Sequence, residues 1–149
     1  MTQANASENT TTSLISSFYL DDTLFGIDTL RVQEAIRVTD ITTVPHAQEY
    51  VMGVINLRGR IVTILNLAKK IGLQTSEISA ESRIIIVSLD DEFAGLLVDQ
   101  ISDVIPVERG SIKPPPSNVK GAQANFFEGI YHRDQGLIVI LRVDTILSD

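Results

Sequence analysis

The sequence predicts an all-β chain built as two similar small barrels packed together, and three observations carry that prediction. Its apolar runs are short and rich in β-branched residues, and turn formers break them at close spacing, which favours strands over helices. The chain also repeats itself. A shift of 69 residues sets Leu20-Asp21-Asp22 on Leu89-Asp90-Asp91, Gly26 on Gly95, Ile27 on Leu96, Val32 on Ile101, Ile36 on Ile105, Val38 on Val107 and Pro45 on Pro114. A shift of 76 sets Gly53-Val54-Ile55 on Gly129-Ile130-Tyr131 and Ile61 to Leu65 on Leu137 to Leu141. Each half therefore offers about five short strands, too few for a two-layer sandwich but suited to a small closed barrel. With 149 residues and 44% hydrophobic content, the chain has enough apolar surface to bury a core on folding.

Residues 1–13 are polar, without an apolar period, and read as a disordered tail. Residues 14–149 form one domain of two pseudo-repeated halves, about 15–72 and 83–147, between which strands are open to exchange. The first hairpin joins Ile15–Leu20 to Leu24–Asp28, with Asp21 and Asp22 as turn formers whose side chains bond their own backbone. In Leu30–Val38, the spacing of Val32, Ala35 and Ile36 predicts a short helix or helical turn with Glu34 on its polar face. Pro45 and His46 mark a connection. The next hairpin pairs Gly53–Leu57 with Ile61–Leu67 around Arg58-Gly59-Arg60, where Gly59 supplies the positive φ that a tight loop needs.

A one-to-two-turn helix follows, with Asn66 as N-cap, lysines in its last turn and Gly72 as stop. After a polar linker over Gln74–Ser82, Arg83–Leu89 and Glu92–Val98 pair around Asp90-Asp91. A helical turn is expected over Asp99–Asp103 before the strand Val104-Ile105-Pro106-Val107. Pro114-Pro115-Pro116 reads as a stiff connection that cannot donate to a ladder.

The chemistry that the sequence excludes narrows the function. There is no cysteine, so neither a disulfide framework nor thiolate chemistry is available. His46 and His132 have no second histidine or carboxylate at ligand spacing, so no metal site is expected and both read as surface loop residues. No GxSxG elbow, phosphate loop or GxGxxG turn occurs, which leaves no hydrolase, nucleotide or dinucleotide reading and no cofactor. The acidic residues fall in predicted turns, not in converging apolar pockets, which disfavours acid–base catalysis. A net charge of −7 with scattered basic residues argues against nucleic acid as the partner. No apolar run approaches the roughly 20 residues of a membrane-spanning helix, and the N-terminus lacks the pattern of a secretory leader, so the cytoplasm is expected. The remaining reading is a surface-binding protein.

The repeat indicates where that surface lies. Asp134 stands where the first half has Arg58, so the fold does not require an arginine at the tip, whereas Glu34 corresponds to the equally acidic Asp103. Arg58 and Glu34 are expected to form an ion pair or share one polar network that sets the hairpin tip. Gly26-Ile27-Asp28, Val32-Gln33-Glu34, Gly53 through Gly59 (GVINLRG), and Val98-Asp99 followed by Val104 together resemble the CheW-like family of bacterial chemotaxis coupling proteins, over about Ile15 to Leu147.

That resemblance implies two five-stranded SH3-like barrels and a non-enzymatic adaptor. Such an adaptor bridges the cytoplasmic tips of methyl-accepting chemoreceptors to the regulatory domain of the histidine kinase CheA, within membrane-associated arrays. Carried over by position, it implies that Val32, Glu34, Gly53, Arg58 and Gly59 belong to the surfaces and supports on which coupling depends. It also implies that Arg83, Ile84 and Ile86, with Ile101 and Val104 across a groove between barrels, contact partners. Thr63 and Asn66 stand where proline and aspartate are usual in the family, a departure that touches partner choice more than fold. Two other readings stay open at this point: a coupling protein for a pathway whose output is pili or another non-flagellar response, and a small-molecule-binding barrel.

Overall fold

Asp21 and Asp22 both adopt positive φ, 49° and 66°, the geometry of a two-residue type I′ turn whose twist matches that of the strands it joins. In the computed structural model, which describes residues 11–75, 77–116, 118–119 and 122–148, this turn joins β1 (Thr12–Leu20) to β2 (Thr23–Asp28). Asp90 and Asp91, with φ of 50° and 54°, repeat it between β6 (Arg83–Leu89) and β7 (Glu92–Val98). The other strands of the first half are β3 (Val32–Arg37), β4 (Val51–Leu57) and β5 (Arg60–Asn66). The second half adds β8 (Gln100–Glu108), the short β9 (Asn118–Val119) and β10 (Ala122–Gln123), β11 (Phe127–Arg133) and β12 (Gly136–Leu141). Helix α1 (Leu67–Ile71) is capped as its sequence predicts: the Asn66 side chain accepts from the Lys69 N–H, and Gly72 ends it at φ 97°. Helix α2 (Val143–Leu147) stands one repeat later, and the sequence reading had not anticipated it.

The strands form two five-stranded sheets with equivalent orders, β11-β12-β2-β1-β8 and β4-β5-β7-β6-β3, and a separate two-stranded β9–β10 ribbon. Neither large sheet is made from one repeat unit. The hairpin β1–β2 sits with the late strands β8, β11 and β12, and the hairpin β6–β7 sits with β3, β4 and β5.

Three sequence expectations change. The polar tail predicted over 1–13 does not extend that far, because Thr12 and Ser13 pair with Glu108 and Val107 of β8, and residues 1–10 lie outside the described residues. The helix predicted over Leu30–Val38 is a short 3₁₀ turn, Thr29–Arg31, followed by β3. Val32, Glu34 and Ile36 are its more buried positions, an alternation of period two that outweighs the coincidental helical spacing of Val32, Ala35 and Ile36. The helical turn expected over Asp99–Asp103 is instead the start of β8, which pairs with β1 from Gln100 onward.

Alternation along the strands divides the core into three. Ile15, Leu24, Ile105, Val107, Ile138 and Ile140 fill the inside of the first sheet, and Ile55, Val62, Ile64, Ile84, Ile86 and Leu97 fill the inside of the second. The opposite faces meet in a larger central cluster that includes Phe18, Phe25, Ile27, Ile85, Val87, Leu96, Phe127 and Val139, joined by α1 and α2. This central layer welds the two sheets together by removing apolar surface from water.

Each sheet closes on itself where the chain leaving one edge strand reaches the other. Thr42, beyond β3, exchanges two backbone hydrogen bonds with Val54 of β4 at 2.9 and 2.8 Å. Lys113, beyond β8, does the same with Ile130 of β11, both at 2.8 Å. Gly53 and Gly129 sit at these closures for a steric reason. A Cβ on Gly53 would lie 2.1 Å from the Thr42 carbonyl oxygen, and one on Gly129 would lie 2.5 Å from that of Lys113.

Candidate functional site

The β4–β5 hairpin turns through Arg58 and Gly59, at φ 52° and 84°. Gly59 adopts the left-handed geometry expected of it, and Arg58 adopts it too, at the cost of crowding between its Cβ and the backbone. A local bond holds the turn: the Asn56 side chain accepts from the Gly59 N–H at 2.9 Å. Arg58 is thereby fixed at the tip with its side chain 68% exposed.

Its guanidinium is ion-paired through Nη2 to Oε2 of Glu34. Glu34 lies on β3, not on a helical turn, and β3 is the opposite edge of the sheet that β4 begins. The pair therefore spans the seam where that sheet closes, alongside the Thr42–Val54 bridge. The first sheet has no counterpart, since Asp103 and Asp134 occupy the two equivalent positions and carry like charge. Its seam is secured differently, by Arg109, whose Nη1 pairs with Glu128 on edge strand β11. Arg109 Nη2 also meets Asp28 Oδ2 at 2.9 Å, and its Nε donates to the Ser13 hydroxyl at 2.8 Å. Sequence reasoning missed Arg109, because the partners that define it come from three distant stretches of chain.

The predicted partner-binding residues separate into four groups. Arg58, Gly59 and Glu34 gather at the exposed tip, and Val32 lies half-buried at the start of β3 against the central core. Ile101 and Val104 are exposed on β8, an edge strand of the other sheet. Gly53, Ile84 and Ile86 are interior, which corrects the expected place of Ile84 and Ile86 on a contact surface and leaves Gly53 as a support. Gly53 serves the seam, while Ile84 and Ile86 point into the second sheet's own core because every second residue of β6 faces that way. Arg83, at the start of β6, is half-buried and donates through Nη1 to the carbonyls of Ala80 and Ser82 at 2.9 and 2.8 Å, so it braces the incoming loop.

Exposed aliphatic residues that the sequence reading did not select extend these patches. Leu14 of β1 lies exposed beside β8, opposite Pro106, and Ile61 lies exposed on the hairpin that carries Arg58. Leu30, on the 3₁₀ turn before β3, is 87% exposed. The available signal was the alternation with buried neighbours such as Ile15 and Val62. Among the described residues, no group of three His, Cys, Asp or Glu side chains could hold a metal ion, and no helix is long and apolar enough to cross a membrane.

Comparison with known proteins agrees with this architecture. The chain is 33% identical over 135 residues to the chemotaxis protein CheW of Thermotoga maritima, covering 91% of this chain and 87% of that one. It is also 33% identical over 110 residues to the protein PilI of Pseudomonas aeruginosa, covering 72% of this chain and 61% of that one. The crystal structure of the scaffolding protein TtCheW from Thermoanaerobacter tengcongensis superposes with a TM-score of 0.84 at 36% identity, covering 92% of this chain and 88% of that one. The model of the CheW-like domain matches residues 15–149, and the chain belongs to that family.

Proposed function

We propose that this chain is a non-enzymatic adaptor that couples the cytoplasmic tips of chemoreceptors to the regulatory domain of the histidine kinase CheA. The observation that carries this reading is the Arg58–Glu34 pair: a charge held on a strained, exposed turn at a position where the sister repeat does without it. Strain of that kind persists where the surrounding structure over-determines it, and it clusters at functional positions. On the edge of the other sheet, the exposed aliphatic residues Ile101 and Val104 of β8 supply apolar surface of the sort that a partner helix would cover. The adaptor would work in the cytoplasm, recruited to receptor arrays by these contacts.

Calorimetric titration into the regulatory domain of a chemotaxis kinase from the same cell, repeated with Arg58→Ala, tests the reading. Micromolar binding that weakens in the variant supports it, and failure to bind any such kinase overturns it. The likeness to PilI favours a second reading in which the same adaptor serves a pathway with a non-flagellar output. Titration against the kinase of each pathway in one cell separates the two, since the genuine partner should bind the more tightly.

A further inference from the structure

The central layer between the sheets is filled unequally on its two sides. In the first sheet Phe25 of β2 stands beside Val139 of β12, and the ring of Phe25 packs against that of Phe127 with centroids 6.5 Å apart. The same ladder position in the second sheet pairs Ala94 of β7 with Thr63 of β5, and Val51 takes the place of Phe127. The two rings of the sister hollow thus have no counterpart at these positions, and Tyr50 and Phe93 stand at the wall of the space they leave. A cleft of about 270 Å³ occupies that place, lined by Val51, Thr63 and Ala94. Two side chains of opposite charge, Lys70 and Glu92, also line it.

We propose that this cleft is a binding site for a free aromatic α-amino acid. Its apolar wall has lost the rings that fill the sister hollow, so a ligand's aromatic ring replaces buried contacts that the chain itself omits. The volume lies near the lower limit of about 300 Å³ for small-molecule sites, which suits a ligand of this size. Lys70 is positioned by stacking over the Tyr50 ring at 4.1 Å and by donating to the Ser148 carbonyl at 3.2 Å. An ammonium has three donors, so it retains capacity for a ligand carboxylate. Glu92 complements the ligand's ammonium group. A ligand of single charge would satisfy one of these side chains and face the other as a like charge. The inference rests on the inequality of the repeats and does not depend on the adaptor reading.

The test is titration of L-phenylalanine into the full chain, followed by methyl NMR of Val51, Leu65 and Ala94. Saturable shifts confined to these methyls are expected, with affinity between micromolar and millimolar. Phenylacetate and phenethylamine, each lacking one charge, should bind at least about tenfold more weakly. Ala94→Phe and, independently, Val51→Phe restore rings to the hollow and should abolish the shifts in a variant that keeps its fold. The proposal is overturned if wild-type chain shows no saturable shifts, if the shifts map elsewhere, if phenylacetate binds as well as phenylalanine, or if a folded ring-restoring variant binds unchanged.

Discussion

Two arginines close two seams, and their surroundings predict opposite responses to removal. Arg58 is mostly exposed and has one ionic partner, so its pair contributes at most about 1 kcal/mol. Alanine at φ 52° keeps the same Cβ crowding, so Arg58→Ala removes the guanidinium and little else. The melting temperature should hardly move while binding to a kinase regulatory domain weakens, and a large drop in melting temperature would refute this division of labour. Arg109 is 29% exposed and serves Asp28, Glu128 and Ser13 together. Arg109→Ala leaves two half-buried carboxylates side by side and should cost about 1 to 3 kcal/mol in urea unfolding. Gly53→Ala should cost more, about 2 to 4 kcal/mol, because its Cβ would collide with the Thr42 carbonyl at φ 145° and the seam must open to admit it. Equal stability of the Gly53 variant and wild type would show that the closure is not rigid.

At the scale of elements, the hairpins are local devices and their turns set the register. Asp90 and Asp91 occupy left-handed backbone that aspartate tolerates and glycine prefers. Asp91→Gly should therefore raise stability by about 0.5 to 1 kcal/mol, read as a higher urea midpoint at unchanged slope. A lower midpoint would mean that the side chain does more than tolerate the turn. This locality is also why so much was legible in the sequence. Asp-Asp turns, the Arg58-Gly59 tip and the Asn66 and Gly72 caps each announce themselves within a few residues, and the structure keeps them. The strand β3 was read in part as helical because its apolar spacing fits both periods, and the start of β8, with Ile101 alone apolar over Asp99–Asp103, shows no period at all; what decides both is pairing with β6 and β1, far away in sequence. The site divided along the same line. The Arg58–Glu34 pair was expected from the sequence and is present, whereas the burial of Ile84 and Ile86 depends on which face of β6 turns inward, and an unbroken apolar run gives no sign of that.

At the scale of the whole molecule, the exchange of hairpins makes the repeats inseparable. Each large sheet takes two strands from one half and three from the other, so a half cut from its sister lacks partners for its edges and exposes the central cluster. Division of the chain in the linker after Thr75 should then give two fragments that are largely unstructured alone. The first carries β3, β4 and β5 without β6 and β7, so the sheet they begin has no middle, and its β1–β2 hairpin has no sister strands to close against. Mixed at equal concentration, the fragments should regain native circular dichroism with a concentration-dependent midpoint, because each supplies the strands that the other lacks. Either fragment folding cooperatively by itself would contradict the exchange, since it would require one repeat to complete a barrel from its own strands.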